Sequence, residues 1–79
     1  MSTRELLLLS EVREAVRTGR CVEVREAAGL TQGELARALD VAPATVSRWE
    51  AGQRLPSGQA IRYARLLRVL AERAQAVVA

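Results

Sequence analysis

The sequence predicts an all-α domain, a compact bundle of five helices without a β-strand. With 79 residues, the chain has room for one domain, close to the lower size limit for a self-sufficient core. Its aromatic residues are one tryptophan and one tyrosine, so the core must consist mainly of leucine, valine and alanine, which suits packed helices. Glycine (5) and proline (2) are sparse, which argues against long loops.

The first helix is predicted over residues 3–17, TRELLLLSEVREAVR, and it contains four consecutive leucines. One apolar stripe is expected to face the rest of the domain, formed by Leu6, Leu9, Val12 and Val16. Because successive helical residues rotate by about 100°, Leu7 and Leu8 fall outside this stripe. They must be buried either by another element of the domain or by a second subunit, so they form a possible dimer interface.

Four further helices are predicted, and glycines and capping residues mark their ends. The expected ranges are residues 20–28, 31–39, 42–50 and about 58–76. The third helix opens with a capping box, T-Q-G-E, in which Thr31 is the cap and Glu34 lies three residues later. Pro43 stands at an early position of the fourth helix, where proline is tolerated. Ser57 is expected to cap the fifth helix.

The third and fourth helices have the spacing of a helix-turn-helix, with a tight turn at Asp40. The small residue Ala36 is expected where the two helices touch. Apolar residues that would lock the pair are Leu35, Leu39, Val41, Val46 and Trp49. The outward side chains of the fourth helix are Pro43, Ala44, Thr45, Ser47 and Arg48. They are small apart from one arginine, unlike the Glu/Lys coat of an ordinary solvated helix.

The composition excludes several classes of function. Without histidine and with one cysteine, Cys21, the chain cannot form an internal disulfide, a zinc site or a histidine-dependent catalytic pair. We therefore predict no enzymatic activity and no cofactor, and Cys21 is expected to be a small core residue. No segment fits a signal peptide or a membrane span, since the apolar run at residues 6–9 is too short, so we expect a cytoplasmic protein.

The basic residues are compatible with a polyanionic partner. All 12 are arginines, and the net charge is +3. Arginine forms paired hydrogen bonds with phosphates and with guanine edges better than lysine does. Charge alone does not identify the partner, so the prediction of a binding partner depends on the residue pattern of the fourth helix.

The segment LTQGELARALDVAPATVSRWEAG, residues 30–52, resembles the phage repressor and Cro family of helix-turn-helix DNA-binding proteins, also called the xenobiotic-response-element family. The resemblance continues through residues 21–29 and 53–67. It implies a lambda-repressor-like bundle with its core at residues 20–70 and an extra N-terminal helix at 3–17. It also implies that the fourth helix, here the reading helix, enters the major groove of double-stranded DNA. Such proteins usually act as homodimers on near-palindromic operators.

The resemblance also implies which residues contact DNA: Thr31, Gln32, Ala42, Pro43, Ala44, Thr45, Ser47, Arg48, Gln53 and Arg54. Gln32 matches a family glutamine that contacts a phosphate and braces the reading helix. Arg48 matches a position that often touches a base, and an arginine can bind guanine O6 and N7 together. Gln53 and Arg54 match the loop that clamps the DNA backbone.

Other positions concern the framework or depart from the family pattern. Arg25 and Glu50 match a partly buried ion pair. Asp40 replaces the usual glycine of the turn, and aspartate tolerates the left-handed backbone required there. A proline–alanine pair replaces two polar readers, which leaves apolar contacts suited to thymine methyl groups. Direct readout is therefore expected to depend heavily on Arg48.

Three functions follow from these observations. The first is a sequence-specific transcriptional regulator, a small Cro-like repressor. The second is the antitoxin of a toxin–antitoxin pair, which would also bind a toxin through an apolar surface such as residues 6–9. The third is a protein–protein adapter that retains the fold without reading DNA. A separate alternative for Arg48 is a surface arginine paired with Glu34 or Glu50.

Overall fold

The computed structural model describes the backbone of residues 1–78 and the side chains of residues 1–74. Within these residues, the regular secondary structure consists of five helices: α1 (Thr3–Thr18), α2 (Arg20–Ala27), α3 (Gln32–Leu39), α4 (Pro43–Glu50) and α5 (Ser57–Val78). The predicted all-α bundle is confirmed. None of the described helices combines the length and hydrophobicity needed to cross a membrane.

Two helices begin with complete capping boxes. At the start of α1, the amide of Glu5 donates to Ser2 Oγ over 3.1 Å, and the amide of Ser2 donates to Glu5 Oε1 over 3.0 Å. At the start of α3, Thr31 and Glu34 form the same pair of hydrogen bonds, at 3.0 and 2.9 Å. Each cap satisfies amides that lack an intrahelical partner, which is worth about 1 kcal/mol. The capping box predicted for α3 is confirmed.

The start of α5 differs from the prediction. Ser57 is the first helical residue rather than the cap. The carbonyl of Pro56 accepts the hydrogen bond from the Ala60 amide, at 2.8 Å. Pro56 thus takes the N-cap position, since its carbonyl accepts the first hydrogen bond of the helix, and the helix begins one residue earlier than predicted.

One hydrophobic core joins the five helices. Its buried side chains are Leu8, Leu9, Val12, Cys21, Leu35, Ala36, Leu39, Val46, Trp49, Leu55, Ala60, Ile61, Tyr63, Ala64 and Leu67. The predicted core position of Cys21 is confirmed, and burial raises the pKa of its thiol, which favours the unreactive protonated form. The Trp49 ring packs on Tyr63 with centroids 5.4 Å apart, so the tryptophan is part of the core.

The predicted apolar stripe of α1 is partly wrong. Leu6 is 54% exposed, whereas Leu8 is only 3% exposed and packs inside the chain. Leu8 therefore cannot belong to a dimer interface, while Leu7 is 55% exposed. The reason is the direction from which α1 is covered: it packs against α5 and α2, and this contact is centred on the face that carries Leu8 and Val12.

Candidate nucleic-acid interface

The turn between α3 and α4 has the geometry that the sequence predicted. Asp40 adopts the left-handed conformation, with φ 57° and ψ 46°, and is the one non-glycine residue with positive φ in the described part of the chain. The amide of Val41 donates to the Ala36 carbonyl at 3.0 Å, and the amide of Asp40 donates to the Arg37 carbonyl at 3.2 Å. These two bonds form a Schellman motif, which stops α3 and redirects the chain into α4.

The α3–α4 pair is held by the residues that the spacing indicated. Ala36 is fully buried, and without a larger side chain it lets the two helices approach closely. Leu35, Leu39, Val46 and Trp49 are buried, and Val41 is half-buried. Because the inner face of α4 is anchored in the core, the direction of its outer face is determined as well.

The outer face of α4 exposes Pro43, Ala44, Ser47 and Arg48, while Thr45 is half-buried. The Arg48 guanidinium group makes one long hydrogen bond, from Nη2 to Thr45 Oγ1 at 3.4 Å. Neither Glu34 nor Glu50 forms an ion pair with Arg48 among the described residues. Glu34 is occupied in the α3 capping box and Glu50 binds Arg25, so neither carboxylate is available to Arg48.

The carboxylate of Glu50 joins three helices behind this face. It binds Arg25 Nε at 2.6 Å through Oε2 and Arg25 Nη2 at 3.1 Å through Oε1, so the predicted pair is present in two-pronged form. Gln32 Nε2 donates to Glu50 Oε1 at 2.8 Å. Arg25 Nη1 also donates to the Leu30 carbonyl at 2.9 Å. The network thus connects α2, the start of α3 and the end of α4.

The same contacts determine the charge state of the network. Burial by itself raises the pKa of the Glu50 carboxyl group, but hydrogen bonds from Arg25 and Gln32 outweigh it, so the pKa lies below its ordinary value. The hydrogen bond to Glu50 raises the pKa of Arg25 in turn. The pair is therefore charged at neutral pH, with side chains only 12% and 5% exposed.

The predicted contact residues at the helix starts have different roles. Gln32 braces α4 through Glu50, which uses one of its two amide hydrogens and leaves the other free to donate. The Thr31 hydroxyl oxygen accepts a hydrogen bond from the Glu34 amide, so this oxygen is engaged in capping. Ala42 is the N-cap of α4 with an extended backbone, and its side chain makes no capping bond.

Helix α4 also ends in a Schellman motif, from which the following loop begins. Gly52 has φ 96°, its amide donates to the Trp49 carbonyl at 3.0 Å, and the Gln53 amide donates to the Arg48 carbonyl at 3.0 Å. Leu55 is buried and anchors the loop to the core. Gln53 and Arg54 are therefore presented to solvent at the C-terminal end of α4.

One group of residues beside this loop was missed by the sequence prediction. Arg13, Val16 and Arg17 of α1 line an open groove of about 420 Å³ together with residues 50–55. We call this the basic groove. The two arginines one helical turn apart were visible in the sequence, but their proximity to the loop depends on how α1 packs.

Comparison with known proteins gives one finding. A family model described as helix-turn-helix matches residues 23–71, which includes most of α2, all of α3 and α4, and α5 up to residue 71. The match covers more than half of the chain and leaves α1 outside. No significant match was found among curated proteins or among solved structures.

Proposed function

Since the chain belongs to the Cro-type helix-turn-helix family of DNA-binding regulators, we propose that it is a small Cro-like transcriptional repressor. It reads the major groove of a near-palindromic operator with α4, as a homodimer. The observation that carries this proposal is the outer face of α4, which is anchored from behind and presents small side chains around Arg48.

Base recognition in this proposal depends on the size and charge of the α4 side chains. The major groove admits a helix, and small residues such as Ala44 and Ser47 allow a close approach to the base edges. Arg48 forms paired hydrogen bonds with O6 and N7 of a guanine, worth about 1–3 kcal/mol of discrimination. Pro43 and Ala44 offer apolar contacts to thymine methyl groups.

Contacts to phosphates position the reading helix in the same proposal. Gln32 has one amide hydrogen left after bracing Glu50, and it donates to a phosphate near the start of α3. Thr31 and Ala42 lie at the starts of α3 and α4, where helix amides favour anions. Gln53 and Arg54 contact the backbone at the other end of α4.

Dimerisation is proposed through the exposed leucines of α1. Leu6 and Leu7 are adjacent and each is more than half exposed. With Leu8 in the core, this surface replaces the Leu7–Leu8 pair that the sequence suggested. A symmetric dimer would place two reading helices about 34 Å apart, one turn of DNA.

The same exposed leucines support a second candidate, an antitoxin that holds a toxin through α1. Leu6 and Leu7 would then contact another protein instead of a second copy of the chain. A purified chain that is monomeric at the concentrations at which it binds DNA would favour this candidate.

The first test is a selection of random duplex DNA by the purified protein, with Arg48→Ala in parallel. We expect enrichment of a two-fold repeat with half-sites about one turn apart, and loss of preference at one base pair per half-site in the variant. Arg20→Ala is the matched control, because it removes the same charge from an exposed position on α2. It should leave the base preference unchanged.

Two results would contradict the proposal in different ways. An unchanged site preference for Arg48→Ala would remove the assigned reading residue while DNA binding itself stands. Absence of any enriched sequence above a salt-sensitive background would overturn specific readout and favour the adapter function. Arg54→Ala gives an internal comparison, since loss of a phosphate contact weakens binding to all sequences alike.

A further inference from the structure

The basic groove lies where the loop after α4 meets the N-terminal helix. Arg13 and Arg17 come from α1, and Arg54 comes from the loop. All three side chains are exposed. Glu50, the last residue of α4, and the loop residues after it line the groove, so the groove lies at the C-terminal end of the proposed reading helix.

The positive charge of this groove is not compensated within the described side chains. None of its three arginines forms an ion pair there. The carboxylate that lines the groove, Glu50, is already bound by Arg25 and Gln32. The three arginines therefore line a common space in which the one lining carboxylate among the described residues is already engaged.

In the isolated chain, the basic groove brings two like charges of α1 close together. Arg13 and Arg17 are four residues apart on one face of α1, about 6 Å along the helix axis. Like charges at this spacing repel each other and destabilise a helix. A bound polyanion would remove this repulsion, and the planar guanidinium group is well suited to phosphate oxygens.

We propose that Arg13 and Arg17 extend the DNA-binding surface and bind phosphates of the operator backbone together with Arg54. The proposal rests on the proposed function, which places the backbone beside the loop at Gln53 and Arg54. Because the family match begins at residue 23, α1 adds this contact from outside the matched region. The extra helix thus lengthens the backbone contact without reading bases.

The experiment measures the salt dependence of binding to the selected operator. Each lost phosphate contact lowers the slope of log K against log salt by about 0.9. Arg13→Ala/Arg17→Ala should therefore reduce the magnitude of the slope by about 1.8 per bound subunit. Base preference in the selection should stay as in the wild type, since phosphates carry no sequence information.

A matched double variant controls for total charge. Arg20→Ala/Arg73→Ala also removes two positive charges, from exposed side chains on α2 and α5 that do not line the basic groove and form no ion pair among the described residues. This variant should keep the wild-type slope. Arg13→Lys/Arg17→Lys should keep most of the slope as well, which separates charge from packing. Circular dichroism confirms that each variant remains folded.

The outcomes separate this inference from the function on which it rests. Specific binding by the wild type with an unchanged slope for Arg13→Ala/Arg17→Ala would overturn the inference alone. An equal reduction in both alanine doubles would also overturn it, because the effect would then come from net charge. If the wild type binds no DNA in a salt-dependent manner, the proposed function fails and the inference fails with it.

Discussion

Glu50 shows how a single side chain positions the reading helix. Its carboxylate accepts hydrogen bonds from Arg25 and Gln32, and it lies at the end of α4 rather than on the outer face. A buried ion pair of this kind is no guarantee of net stability, because desolvation opposes the Coulomb attraction. What it does is connect α2 and the start of α3 to the end of α4, behind the outer face of α4.

We expect Glu50→Gln to destabilise the fold by roughly 3 kcal/mol at pH 7, because it leaves the Arg25 guanidinium partly buried without its counter-charge. Glu11→Gln is the matched control. It breaks the ion pair with Arg68, whose two side chains are 42% and 44% exposed, and should cost less than about 1 kcal/mol. Urea unfolding measures both, and equal effects would contradict the assigned role of Glu50.

The stability contributed by Glu50 also depends on pH. Its pKa is lower in the folded chain than its ordinary value of 4.5, so the contribution is present above that pH and is lost as the pH falls through the folded-state pKa. Wild type should lose stability below about pH 4.5, and Glu50→Gln should lose less. A residual decrease is expected from Glu5 and Glu34, whose capping hydrogen bonds also lower their pKa values.

At the scale of secondary-structure elements, the turn between α3 and α4 determines the direction in which α4 leaves α3. Asp40 is in the left-handed region, where a Cβ atom is unfavourable and glycine is not. We expect Asp40→Gly to raise the free energy of unfolding by up to about 1 kcal/mol. DNA base preference should not change, since Asp40 does not lie on the outer face of α4.

A β-branched substitution provides the contrast at this turn. Asp40→Val should lower the free energy of unfolding by more than about 1 kcal/mol, because valine is poorly tolerated at positive φ. Thermal unfolding checks the expected order of stability, in which the glycine variant is the most stable, the wild type is intermediate and the valine variant is the least stable. An Asp40→Val variant at least as stable as the wild type would mean that the turn relaxes out of the left-handed conformation in solution.

At the scale of the whole molecule, the packing of α1 decides which of its leucines is available to a partner. Leu7→Glu should give a folded monomer if this surface forms the dimer, because the exposed site accepts a charge in the monomer but not in an apolar interface. Leu8→Glu should unfold the chain instead, since the charge would enter the core. Sedimentation and circular dichroism distinguish the two.

Two results would count against this assignment. A Leu7→Glu variant that still sediments as a dimer would place the interface elsewhere. A folded Leu8→Glu variant would show that α1 can detach from the core without loss of the remaining bundle.

Much of this protein follows from local patterns. The capping box at Thr31, the glycine stops and the small Ala36 predicted α3 and α4 because hydrogen bonding at helix ends and close helix contact depend on residues near in sequence. The resemblance added the Arg25–Glu50 pair, which is present. The predicted DNA contacts of α4 lie on its accessible face, and their function remains a prediction.

The tertiary structure alone decided what depends on how distant segments pack. Four consecutive leucines do not show which face of α1 is buried, because each of them can belong to an apolar stripe. Which stripe is buried depends on the side from which other helices cover α1. The bond from Gln32 to Glu50 and the proximity of Arg13 and Arg17 to Arg54 likewise join residues 18 or more positions apart. Periodicity determines which residues share a face, whereas only the packed neighbours determine what that face meets.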